Sequence, residues 1–153
     1  MTPDKDFRLV WDDVIYTPGT LKVICYKNGK QWSTDEVKTT AEAEKLTLSV
    51  DRPVISPDGS DLAFITVKVS DKEGLMVPRS NPSIKFTIEG AGEIVATDNG
   101  DATSFVPFQS HERQAFNGMA LVIVKAKKGQ KGMFTVKAES EGLILGKIIV
   151  KAE

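Results

Sequence analysis

Apolar residues recur at every second position in one run of this chain after another, and that period excludes most architectures. Between Leu62 and Val69, one face carries Ala63, Ile65, Val67 and Val69. Ile84, Phe86 and Ile88 alternate with Ser83, Lys85, Thr87 and Glu89. Ala120, Val122, Val124 and Ala126 share a face, and so do Phe134, Val136 and Ala138. Leu46, Leu48 and Val50 form a shorter run, and Ile144, Ile148 and Val150 form the last. No segment holds a 3.6-residue period for three turns. The nearest to a helix, Glu36 to Lys45, has no apolar stripe and reads as a linker. One apolar and one polar face per strand marks antiparallel sheets packed on each other. Asp58-Gly59, Glu73-Gly74, Asn99-Gly100, Lys128-Gly129 and Glu141-Gly142 supply the turns between runs. The fold class is therefore all-β, with an immunoglobulin-like antiparallel β-sandwich of about seven strands over residues 46–153.

Residues 1–40 stand apart. Leu21–Tyr26 and Gln31–Val37 flank Lys27-Asn28-Gly29-Lys30. Asn-Gly between two strand-like runs favours a type I′ hairpin, whose central residues both need positive φ. A two-residue loop sets Cys25 opposite Trp32, whereas a bulged loop sets Tyr26 there. A lone hairpin is marginal in water. Residues 1–40 are therefore expected to dock on the sandwich, on another subunit, or on a domain outside this chain. Residues 41–45 link the two parts.

Composition mainly removes chemistries. The 153 residues are 41% hydrophobic and 27% charged, an ordinary globular balance. A net charge of −1 lacks the basic excess that nucleic-acid binding needs, so no nucleic-acid partner is expected. A single cysteine, Cys25, cannot form an internal disulfide or a multi-cysteine zinc site. It sits on an alternating strand and reads as a small buried hydrophobe. The longest apolar run, Met119 to Val124, is far short of a membrane span, so no membrane insertion is expected. Met1 to Asp6 contains no signal-peptide apolar region, which leaves a cytoplasmic protein or a piece of a longer exported one.

The polar clusters read as turns. Asp98-Asn99-Gly100-Asp101 would need a bidentate Glu at its twelfth position to be an EF-hand loop, and that position is Gln109. Asp58-Gly59-Ser60-Asp61 reads the same way, with Asp side chains bonding nearby backbone N–H groups. No metal site and no cofactor is expected. Ser110-His111-Glu112 places triad residue types side by side, but triad members converge through space and no Gly-x-Ser-x-Gly elbow exists. Trp11, Tyr16, Tyr26 and Trp32 are the best contact candidates. They could meet a sugar, whose apolar ring faces stack on exposed aromatics, or a neighbouring domain. Filling a core between the hairpin and its neighbours is the preferred reading, because aromatics bring large buried area.

Two stretches resemble a known family. Trp11, Val14, Tyr16, Pro18, Gly19, Leu21, Tyr26 and Gly29, with Thr39-Thr40 as exit, match the pattern of an accessory domain that follows the catalytic barrel in bacterial glycoside hydrolase family 2 β-galactosidases. The motif stretch begins at Arg8. Phe86-x-Ile-x-Gly90-x-Gly92, Asn99-Gly100-Asp101 and Phe116-Asn117-Gly118 are similar to the C-terminal immunoglobulin-like domain of the same enzymes. The resemblance covers roughly residues 8–151. It implies that residues 1–40 are the hairpin of a partial second immunoglobulin-like module, and that the catalytic barrel and its two glutamates belong to the parent chain. The partners it implies are the catalytic and other β-domains of that parent, with carbohydrate as a further candidate. It also implies an exported parent, periplasmic or extracellular. A retaining glycosidase needs two carboxylates about 5 Å apart across a cleft. Here Asp12-Asp13 is the only adjacent pair of aspartates, and neighbouring residues on a strand point to opposite faces. No catalytic residue is expected in this chain. The expected role is that of a non-catalytic accessory region that packs beside and supports the catalytic unit. The alternatives are a carbohydrate-binding module and a bacterial immunoglobulin-like surface or adhesion domain.

Overall fold

A computed structural model describes residues 10–153, so Arg8 and Leu9 of the N-terminal motif lie outside the described residues. The chain divides into two compact units between Thr39 and Thr40.

The first unit is a hairpin of β1 (Thr20–Lys27) and β2 (Lys30–Lys38). Its turn is the expected two-residue one, with φ of 52° at Asn28 and 74° at Gly29. The ladder pairs Lys27 with Lys30 and Tyr26 with Gln31, then shifts register so that Cys25 faces Ser33. Trp32 is the extra residue of a bulge. Neither of the two registers expected for Trp32 is formed, because the turn is tight and the irregularity lies inside the strand. Cys25 is exposed rather than buried, since a two-stranded sheet has no interior.

The second unit is a sandwich of nine strands. β3 (Lys45–Val50), β5 (Leu62–Ser70), β9 (Met119–Ala126) and β7 (Gly92–Asp98) form one sheet in the order β3-β5-β9-β7. β4 (Val54–Ile55), β11 (Gly146–Ala152), β10 (Gly132–Glu139), β6 (Ser83–Gly90) and β8 (Glu112–Gln114) form the other in the order β4-β11-β10-β6-β8. Pairing between strands is antiparallel except that β4 runs parallel to β11. This is an immunoglobulin-like arrangement with two strands more than expected.

Alternation places the core. Ala63, Ile65, Val67 and Val69 of β5 are buried, as are Ala120, Val122, Val124 and Ala126 of β9. In register, Ile65 faces Val122 and Val67 faces Ala120. The opposing sheet contributes Ile84, Phe86, Phe134, Val136, Ala138 and Val150. Ile88 and Ile148 are only partly buried at the margin of this cluster. Ile144 lies outside it: β11 begins two residues later, and its side chain is exposed.

The Gly90-x-Gly92 motif has a specific task. β6 and β7 belong to different sheets and only Ala91 separates them. The crossing is close enough that a Cβ on Gly92 would lie 2.5 Å from Phe134 Cδ2, and one on Gly90 would lie 2.6 Å from the Met133 carbonyl oxygen.

Candidate functional site

In the first unit the motif residues close the open end of the hairpin. Thr39 N donates to Gly19 O at 2.9 Å, and Gly19 N donates to Thr39 Oγ1 at 3.0 Å. Tyr16 Oη and Thr39 Oγ1 share a hydrogen bond of 3.3 Å. Pro18-Gly19 turns the chain into β1, and Thr39 clasps that turn to the end of β2.

The four aromatics do not fill a core within this unit. Trp11, Tyr16, Tyr26 and Trp32 are 45%, 75%, 64% and 71% exposed. Nor do they share one platform. Tyr16 is held at Thr39, beyond the Thr20–Lys38 end of the ladder, whereas Tyr26 and Trp32 flank the Asn28-Gly29 turn. At roughly 3.3 Å per residue, these ends lie more than about 20 Å apart along the strands. Lys27 Nζ sits 5.5 Å from the Trp32 ring centroid, a cation–π distance that places Trp32 on the face of Lys27. Tyr26, adjacent to Lys27 in the strand, alternates to the other face. On the Trp32 side, Leu21, Val23 and Val37 add exposed apolar surface in register, with Leu21 opposite Val37.

The acidic clusters of the sandwich are engaged in shaping turns. Asp58 Oδ1 accepts from the N–H groups of Ser60 and Asp61 and from Ser60 Oγ, at 2.7, 2.8 and 2.9 Å. Asp61 accepts from Ser56 N and from the Arg52 guanidinium, both at 2.8 Å. Asp98 Oδ1 accepts from Asn99 N at 2.7 Å, and Asp101 Oδ1 from Thr103 Oγ1 at 2.7 Å. Gly100 takes the positive φ of this turn, 76°. Asp71 is buried and accepts from Ala41, Glu73 and Leu75 N–H groups at 3.0, 3.0 and 2.9 Å.

These bonds favour the ionised form. The Ser60 N–H holds Asp58 below the ordinary carboxylate range, the Ser56 N–H does so for Asp61, and the Ala41 N–H for Asp71. The Thr103 hydroxyl lowers Asp101, and the Lys151 ammonium lowers Glu153. A general acid requires the opposite shift. Asp12-Asp13 occupy an exposed turn. Ser110 Oγ is bonded to the backbone of Glu112, and His111 uses its carbonyl to accept from Phe86 N. These three residues do not converge into a triad. Among the described residues, no three His, Cys, Asp or Glu side chains are grouped to hold a metal.

Two open clefts mark the sandwich surface. One of about 550 Å³ lies over Glu89, Thr135, Lys137, Lys147, Ile148 and Ile149. Its one carboxylate, Glu89, is paired with Lys137 at 2.7 Å. The other, about 360 Å³, is lined by Thr66, Asn99, Phe116, Asn117, Met119, Ala120 and Leu121, and has no carboxylate. Neither can place two acids across a glycosidic bond.

Sequence reasoning missed Arg113, which is only 2% exposed. Its Nε donates to Thr97 Oγ1 at 3.2 Å. One terminal nitrogen, Nη1, donates to Ser104 Oγ at 3.3 Å and Val106 O at 2.9 Å. The other, Nη2, donates to Thr97 O at 2.7 Å and Pro107 O at 2.9 Å. All five guanidinium N–H groups thus find acceptors, all of them neutral. Arg113 ties the loop between β7 and β8 onto β7.

Comparison with known proteins gives these observations a context. The family description "Glycoside hydrolase family 2 C-terminal domain 5" matches residues 46–149. A domain of unknown function matches residues 1–33. Beta-galactosidase BoGH2A of Bacteroides ovatus is 36% identical over 140 residues, which is 92% of this chain and 16% of that protein. A beta-galactosidase of Thermoanaerobacter pseudethanolicus is 32% identical over 91 residues, 60% of this chain and 12% of that protein. The crystal structure of a glycosyl hydrolase family 2 member from Bacteroides cellulosilyticus superposes with a TM-score of 0.91 at 30% identity, covering 99% of this chain and 19% of that one.

Proposed function

Because this chain belongs to the glycoside hydrolase family 2 C-terminal domain 5 family, we propose that it is the non-catalytic C-terminal region of a β-galactosidase-like hydrolase. In this reading it packs beside the catalytic unit and supports it. Residues 1–40 end one immunoglobulin-like accessory module, 41–45 form the linker, and 46–153 form the terminal domain. The observation that carries the reading is the family match laid over a sandwich whose acidic clusters are tied into turns. The chain spans only 16% and 12% of the curated relatives it matches. The activity, substrates and partners of a whole protein thus enter as part of the proposal.

Trp11, Tyr16, Tyr26 and Trp32 take the role of contacts to a preceding domain of the same polypeptide. The separation of Tyr16 from Tyr26 and Trp32 along the hairpin, and the placement of Tyr26 and Trp32 on different faces, suit a surface wrapped by protein better than one flat sugar ring. Turnover of a chromogenic β-galactoside tests the non-catalytic claim. The purified chain is expected to show none. Turnover that disappears when one carboxylate of this chain is replaced would overturn the reading.

A further inference from the structure

The loop between β7 and β8 ends in an apolar tip that the sandwich does not need for its own core. Phe105 is 98% exposed, and Val106 and Phe108 are exposed beside it. From Ala102 to Ser110 the sequence has no charged residue. An exposed cluster of this kind on a loose loop would carry little meaning. This loop is not loose. Arg113, buried beneath it, holds Ser104, Val106 and Pro107 through three hydrogen bonds, and its guanidinium lies 5.9 Å from the Phe108 ring centroid. Thr97 N donates to Phe108 O at 2.7 Å, Ser110 N to Pro107 O at 3.0 Å, and Ser104 N to Asp101 O at 3.0 Å. The carbonyls of Val106, Pro107 and Phe108 are therefore satisfied from inside.

We propose that the Ser104–Phe108 tip is a preformed anchor that seats Phe105 in an apolar pocket on another folded domain of the same polypeptide. The tip has no charge to desolvate, and the carbonyls of Val106, Pro107 and Phe108 are already paired, so burying it leaves fewer groups without partners. Rigidity lowers the ordering cost of docking, and a buried aromatic is the usual centre of a binding hot spot. Phe105 has no polar end, and the Ser104 hydroxyl and Val106 carbonyl beside it are engaged by Arg113, which leaves fewer groups to read a sugar hydroxyl. A protein pocket is the better match. The chains in which this fold recurs are several times longer: this chain covers 19% of one and 20% of another. Further domains of one polypeptide are thus the available neighbours. The inference rests on the proposed C-terminal role.

Hydroxyl-radical footprinting of Phe105, in the isolated chain and in the full-length polypeptide that carries it, tests the proposal. Oxidation of Phe105 should fall on the order of tenfold in the full-length protein, as expected for a desolvated anchor. Phe105→Ser should leave the melting temperature of the isolated chain unchanged and lower that of the full-length protein. Equal reactivity of Phe105 in a full-length protein that turns over β-galactosides would overturn this inference and leave the proposed function standing. Protection of Phe105 in the isolated chain, by dimer formation or by added neutral galactan, would also overturn it. A full-length protein without glycosidase activity would instead remove the reading on which it rests.

Discussion

Asp71 Oδ2 accepts a hydrogen bond from the backbone N–H of Ala41, 30 residues earlier in the chain, at 3.0 Å. The other oxygen of the same carboxylate accepts from Glu73 and Leu75, which close the turn after β5. One buried side chain thus fixes both this turn and the point where the chain enters the sandwich. The sign of its pH dependence follows. These bonds hold Asp71 below its ordinary value of 3.8 in the folded chain. Its contribution to stability is full above that value and is lost as pH falls toward and through the lower folded value. Asp58, Asp61 and Asp101 are lowered in the same direction and reinforce it. Thermal melting of the isolated chain should therefore weaken steeply below about pH 4. Asp71→Asn should lower the melting temperature at neutral pH and flatten that acid limb. An unchanged acid limb in Asp71→Asn would remove Asp71 from this account.

Gly92 marks the crossing between the sheets. A methyl group there would press on the Phe134 ring, which is itself buried. Gly92→Ala should destabilise the sandwich by roughly 1–3 kcal/mol through overpacking. Chemical denaturation measures this directly. A neutral result would mean that the ring can move aside.

Phe86 and Phe134 anchor the sheet opposite β5 and β9. Truncating either to Ala removes a fully buried ring and should cost roughly 3–5 kcal/mol. Losses below about 1 kcal/mol for both would break the assigned register.

Arg113→Met keeps much of the side-chain volume and removes all five donors. It removes the donors to the carbonyls of Thr97 and Val106 and one of the two donors to Pro107 O, which Ser110 N also reaches. A loss of about 2 kcal/mol or more is expected, since each unpaired acceptor costs about 1–3 kcal/mol. Hydrogen exchange should show the loss concentrated in residues 97–111, where Thr97 N and Ser110 N bond within the loop. Uniform loosening of the sandwich would contradict a role centred on this loop.

Much of the sandwich was legible because its long strands keep strict alternation. β5, β9 and β10 bury the apolar sets that their sequences display. β7 was not legible. Its register shifts between Ile94 and Ala96, so the period of two is broken at Val95. β4 and β8 have two and three residues, too few to carry a period. The family resemblance rested in part on glycines that prove to be turn and crossing residues, as at Gly29, Gly90 and Gly92. Arg113 gave no local signal, since Glu112-Arg113-Gln114 reads as a polar surface run. Its burial comes from a loop that folds over it. The hairpin aromatics read as filling a core between the hairpin and its neighbours, and two strands alone cannot enclose them, so they stand exposed on this unit.

The central claim is that this region supports a hydrolase without performing its chemistry. Thermal inactivation of the full-length enzyme, with and without residues 40–153, tests it most directly. The account predicts that the truncated enzyme melts at a lower temperature and loses β-galactoside turnover faster on heating, while any turnover it retains shows the pH profile of the intact enzyme. A truncated enzyme with the same melting temperature and inactivation rate as the intact one would contradict the claim.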